Sequence, residues 1–164
     1  MPDKKSISLS LAHIEDREFF VKNPKEKIKE NFDTDNLHIG INVNFGADDK
    51  KELLYLNLAL KYDYKANEDT INLLKARFSF IYKLKNLEEI IEVEEDAIDI
   101  PDDLAEMVLS IALSTSRGLI ASQTRGYFIN EYYLPLLSVK DILESASEEN
   151  ETPSITWKLR SISD

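Results

Sequence analysis

The chain has 164 residues, a net charge of −11, no cysteine and 43% hydrophobic side chains. That length supports one domain with a sizeable core. The charge argues against nucleic acid and against anionic lipid, both of which need a basic surface. The lack of cysteine excludes a disulfide framework, a thiolate metal site and a cysteine nucleophile.

The N-terminal stretch MPDKKSISLSLAHIED has no signal-peptide pattern. No segment reads as the roughly 18 uninterrupted apolar residues of a membrane span. A cytoplasmic location with no membrane insertion is therefore the expectation.

Residues 6–14 alternate Ile7, Leu9 and Leu11 against serines, a half-buried strand that Phe19 and Val21 prolong after a bulge. The polar stretch 24–36 reads as a loop with one helical turn. Residues 37–45 place Leu37, Ile39, Ile41, Val43 and Phe45 on one face. After the turn GADDKK, residues 54–64 repeat the pattern with Leu54, Leu56, Leu58, Leu60, Tyr62 and Tyr64. After KANEDT, residues 74–84 alternate Leu74, Ala76, Phe78, Phe80, Tyr82 and Leu84 with lysines, Arg77 and Ser79. Short connections predict an antiparallel meander with one wet and one apolar face. Residues 86–100 then read as a solvated acidic crossover with a few anchored apolar side chains, Leu87, Ile90, Ile91, Val93, Ile98 and Ile100 among the candidates, and with no calcium-loop pattern.

A long helix is expected over 101–126. Pro101 suits a first helical position, Asp102 and Asp103 complement the dipole, and Gly126 can close the last turn. Leu104, Val108, Ile111 and Leu119 project to one side, and Leu109, Leu113 and Ile120 to another. Only a wedge of Asp103, Glu106 and Arg117 is clearly polar, so the helix should be covered on several sides. A row of small residues, Ser110, Ser114, Gly118 and Ser122, invites a second helix. Leu109, Ser110, Leu113, Ser114, Gly118 and Ile120 are thus the expected subunit interface. The aromatic link 127–137 leads through the S-x-x-D box of Ser138 and Asp141 to a short helix over 139–147. The fold class is therefore α+β: a four-stranded antiparallel sheet covered by one long and one short helix. Residues 1–147 form the domain. Residues 148–164 form a partly flexible tail in which Ile155, Trp157 and Leu159 alternate.

No catalytic constellation assembles. His13 and His38 both fall in strand patterns, four glycines hold no phosphate-binding fingerprint, and no metal site or cofactor is implied. An enzyme is not expected. A carrier enclosing a small apolar ligand between sheet and helix is an alternative binding function.

The ending Arg125-Gly126-x-Phe128, followed by Leu134-Pro135-Leu136 and a short helix, resembles the SecB family of protein-export chaperones. The order of strands, crossover, long helix and short helix is similar too. The resemblance implies an ATP-independent holdase that assembles as a dimer of dimers and binds unfolded client polypeptide. Its groove would be lined by Ile90, Ile91, Ile98, Phe128, Tyr132, Leu134, Leu136 and Leu137. It leaves two roles open: protein export with the SecA motor, or protection of an antitoxin. The chain departs from the family at Ile129, where proline is usual, and at Leu137-Ser138. Lys75, Arg77, Lys83 and Lys85 also stand where export members present acidic residues to SecA.

Overall fold

The computed structural model describes residues 7–93, 98–148 and 154–158. Three long strands form consecutive hairpins: β2 (Leu37–Asp48), β3 (Leu53–Ala66) and β4 (Asp69–Leu84). This is the meander that the alternation predicts. Asn67, in the β3–β4 turn, takes a left-handed φ of 58°, which asparagine tolerates better than most residues.

β1 (Leu9–Val21) does not join β2, the strand that follows it. It runs antiparallel to β4, with register shifts between Leu11 and His13 and between Asp16 and Glu18. The expected irregularity before Phe19 is therefore present. Periodicity gave β1 a face but no neighbour. A five-residue helix, α1 (Glu26–Glu30), occupies the polar stretch before β2.

A further strand, β7 (Ser154–Lys158), pairs with the outer edge of β2, which gives a five-stranded sheet in the order β1-β4-β3-β2-β7. The predicted four-stranded antiparallel core is there, and part of the tail adds a strand to it. Trp157 stands opposite Ile39, and Ile155 opposite Ile41. Ser6 and Leu159, included in the sequence reading, lie outside the described residues.

The apolar face of β2, β3 and β4 is sealed. Ile39, Leu56, Leu60, Phe80 and Tyr82 are among its fully buried side chains. The crossover is anchored by apolar side chains, as expected. Leu87 and Ile91 are core residues, and β5 (Glu92–Val93) pairs with β6 (Ile98–Asp99) as a miniature hairpin.

Helix α2 (Asp102–Gln123) covers the sheet. Pro101 stands at its N-cap with extended backbone rather than in the first turn. Gly126 takes a φ of 83° just beyond the helix, as its expected closing role requires. By length and composition α2 could cross a membrane, yet its apolar side lies in the core. Helix α3 (Val139–Glu148) begins where the capping box places it: the Asp141 backbone N–H donates to Ser138 Oγ at 3.3 Å. Ile142 inserts into the core.

The buried side of α2 corrects the two-sided projection. Its buried residues are Leu104, Ala105, Val108, Leu109, Ala112, Leu113, Ser116 and Ile120. At 100° per residue these span one continuous arc of roughly 180°. Leu104 and Val108 form one flank of that arc and Leu109, Leu113 and Ile120 the other, whereas Ile111, grouped with the first side in the projection, falls outside it and is exposed. Ala105, Ala112 and Ser116 occupy the middle of the arc, where small side chains permit close approach to the sheet. The Tyr82 hydroxyl donates to the Val108 carbonyl at 2.9 Å and ties β4 to the helix.

Candidate functional site

The chain from Gly126 to Ser138 has no repeating backbone pattern, so each of its side chains is placed by individual contacts. Phe128–Glu131 forms one 3-10 turn. Asn130 Nδ2 anchors it, donating to the Ala121 carbonyl at 2.9 Å and to Thr124 Oγ1 at 2.8 Å. The Phe128 backbone N–H donates to Asn23 Oδ1 at 2.8 Å, which joins the link to the end of β1.

Further along, Arg117 of α2 donates from Nε to the Leu134 carbonyl and from one terminal nitrogen to the Pro135 carbonyl, each at 2.9 Å. A guanidinium holds two donors in a fixed fork, so the pair sets both the position and the direction of the backbone. Arg117, part of the polar wedge in the helical projection, is the clamp of the link.

An aromatic cluster closes one side of this region. Phe32 stacks on Tyr64 at a ring separation of 4.4 Å and meets Tyr132 at 4.7 Å and Phe128 at 4.9 Å. Burial, then the neighbouring Glu131 charge and Tyr64, raise the Tyr132 phenol above its ordinary value. Burial raises Tyr62 more strongly, although the nearby Arg117 charge opposes it. Sequence reading missed Phe32, because it stands alone in a polar, turn-rich stretch.

The expected groove residues separate into three groups. Ile91 and Leu134 are buried in the core and line no open surface. Ile90, Ile98, Phe128, Tyr132 and Leu137 are partly buried against the chain's own residues. Leu136 is 92% exposed, and its neighbour Tyr133, absent from the expected set, is 60% exposed. The apolar surface of the link is therefore a short ridge at Tyr133 and Leu136 beside the aromatic cluster, rather than a groove lined by all eight side chains.

The expected subunit interface also divides. Leu109, Leu113 and Ile120 are buried within the chain and need no partner helix to leave water. Ser110, Ser114 and Gly118 lie on the exposed side of α2, near Met107 and Ile111, which are 41% and 37% exposed. A Cβ added at Gly118 would meet no atom within 4 Å. Packing inside the chain thus gives no reason for a glycine there, although it costs about 1 kcal/mol against alanine.

Among the described residues, no group of three or more histidine, aspartate or glutamate side chains is placed to hold a metal ion. No protein-family model matches the chain, and no curated protein matches it. Among solved structures, it is similar to a Streptococcus agalactiae protein whose crystal structure is described as that of a protein of unknown function. The two are 10% identical with a TM-score of 0.41, over 81% of this chain and 98% of the other.

Proposed function

We propose that this protein is a SecB-like, ATP-independent holdase that binds non-native polypeptide on the apolar ridge of its interhelix link. One observation carries the reading. Leu136 stands almost wholly in water on a backbone that Arg117 holds by two adjacent carbonyls. A leucine left exposed forgoes roughly 1.5–3 kcal/mol of burial. On a mobile loop that would be unremarkable. On a clamped one, the apolar surface is presented in a fixed geometry, and little further entropy is lost when a client covers it. The half-buried aromatic rings beside it extend the surface.

In this reading the protein works in the cytoplasm without a cofactor or a catalytic step. It assembles as a homo-oligomer, a tetramer in the SecB pattern. The exposed side of α2 is the contact between copies: Gly118, Ser114 and Ser110 allow close approach, and Met107 and Ile111 supply apolar area. Clients are extended apolar segments, belonging either to an exported protein or to an antitoxin. The test is suppression of aggregation of a chemically denatured model protein without nucleotide. Stoichiometric protein should suppress light scattering, and the Tyr133→Ser, Leu136→Ser double variant should lose most of that effect while keeping its far-UV spectrum. Absence of suppression by the unmodified protein would remove the proposal.

A further inference from the structure

The face of the sheet turned away from α2 has a shape and charge that the chaperone reading does not use. Long side chains on a strand normally stand up from such a face. Here the middle of β2 and β3 carries Gly40 and Ala59, with Gly40 opposite Lys61 and Ala59 opposite both Asn42 and Arg77. The low floor leaves three adjoining concavities of about 430, 690 and 390 Å³, which share Glu18, Lys75, Ala59 and Arg77 among their walls. Together they form one trough across β1, β4, β3 and β2.

The lining has the opposite sign to the protein. Five cations border the trough, Arg17, Lys22, Lys61, Lys75 and Arg77, against one carboxylate, Glu18. The chain as a whole has 31 acidic and 20 basic residues. Arg17 pairs with Glu15, Arg77 with Glu18 at 3.3 Å and Lys61 with Asp63 at 2.7 Å, while Lys22 and Lys75 have no ion-pair partner among the described residues, which leaves the trough a net positive charge. Polar side chains of the floor are set as donors. Buried Ser79 accepts from Arg17 Nε at 3.3 Å and donates to Asn57 Oδ1 at 2.6 Å, which leaves the Asn57 amide N–H₂ as the free end of that side chain.

We infer that this trough is a docking site for an acidic, extended polypeptide segment of a partner protein. Lys75 and Arg77 are two residues apart on one strand, roughly 7 Å. An extended peptide repeats its own side chains on one face at the same interval, so alternate carboxylates meet successive cations. Amide and guanidinium donors suit carboxylates. A nucleic acid fits less well: its continuous phosphate charge would meet Glu18 and Asp63 at the rim and the net −11 of the chain beyond it. The site lies across the sheet from the link and does not depend on the holdase reading.

Fluorescence anisotropy with a labelled octapeptide of alternating glutamate and threonine tests this, with the lysine–threonine octapeptide and an eight-nucleotide thymidine strand as comparisons. The glutamate peptide should bind best, and its affinity should fall as sodium chloride rises from low to physiological concentration. Lys75→Glu should weaken it severalfold, and Lys75→Glu with Arg77→Glu at least about tenfold. Lys75 is exposed and without an ion-pair partner among the described residues, so its single variant keeps the fold. That variant should suppress aggregation as well as the unmodified protein does, which separates the two sites. Equal binding of the lysine peptide, tighter binding of the thymidine strand, or unchanged affinity in the double variant would each overturn the inference.

Discussion

Replacing Arg117 with methionine keeps the aliphatic stem and removes the guanidinium that clamps the link. Two charge-assisted bonds are lost, to the Leu134 and Pro135 carbonyls. Hydrogen bonds to charged groups contribute about 1.5–3 kcal/mol each. Arg117 is only partly buried, so the lower figure applies to both. The sum, about 3 kcal/mol, corresponds to roughly a hundredfold rise in the population of the opened link. Tyr133 and Leu136 are already at the surface, and opening at residues 132–137 would free the clamped backbone beside them to enter the chymotrypsin site. Where reclosing outpaces cleavage, the rate of cutting follows that population. Limited chymotryptic digestion under native conditions, with fragments mapped by mass, should therefore show much faster cutting within the link, while β2, β3 and β4 stay intact. Arg117→Lys should fall between, because a point charge without the planar fork cannot hold two carbonyls in fixed directions. Link cleavage in Arg117→Met at the unmodified rate would refute the clamp, and with it the rigid presentation of Leu136.

Four further outcomes are expected. Tyr82→Phe removes the bond to the Val108 carbonyl and should cost about 1 kcal/mol in urea unfolding, whereas the buried Tyr62 hydroxyl has no partner among the described residues, so Tyr62→Phe should be neutral or slightly stabilising. Burial pushes Tyr82 up to about 12 from 10.0, so its contribution is complete below pH 10 and is lost as pH rises through 12, which an alkaline titration followed by circular dichroism would register. Leu113→Glu should unfold the chain, because that side chain is buried, while Ile111→Glu should leave it folded and reduce sedimentation to that of an 18.9 kDa monomer. Truncation after Glu151 removes β7 and frees the edge of β2, so client binding at the link should be unchanged while the open edge raises self-association in sedimentation.

The sheet was legible because a strand has a period of two and its core face fills every second position. The apolar positions from Leu54 to Tyr64 and from Leu74 to Leu84 are buried in the alternation read from their order alone, apart from the irregularity that also buries Leu73 and the burial of Ser79 on the outer face. Strand neighbours were not legible. Nothing in the residues of β1 distinguishes an edge on β2 from one on β4. On α2, hydrophobic weight pulled the projection toward large side chains. Ala105, Ala112 and Ser116 carry little such weight, although they mark the centre of the contact with the sheet. The link was hardest to read. Leu134 is buried and Leu136 exposed two residues later, a difference set by the Arg117 clamp and the turn at 128–131 rather than by any period. The charge of the outer face was visible in Lys75 and Arg77. Its concavity was not, because that depends on Gly40 and Ala59 coming into register beside them.

Site-specific photocrosslinking tests most directly whether the link is the client surface. A photoreactive phenylalanine analogue is placed at Leu136, at Gly118 or at Lys75, and each protein is irradiated with a denatured, radiolabelled model client. Client binding at the link predicts strong client crosslinking from position 136, copy-to-copy crosslinks from position 118, and little client yield from position 75. Client yield at 136 no higher than at 75 would contradict it.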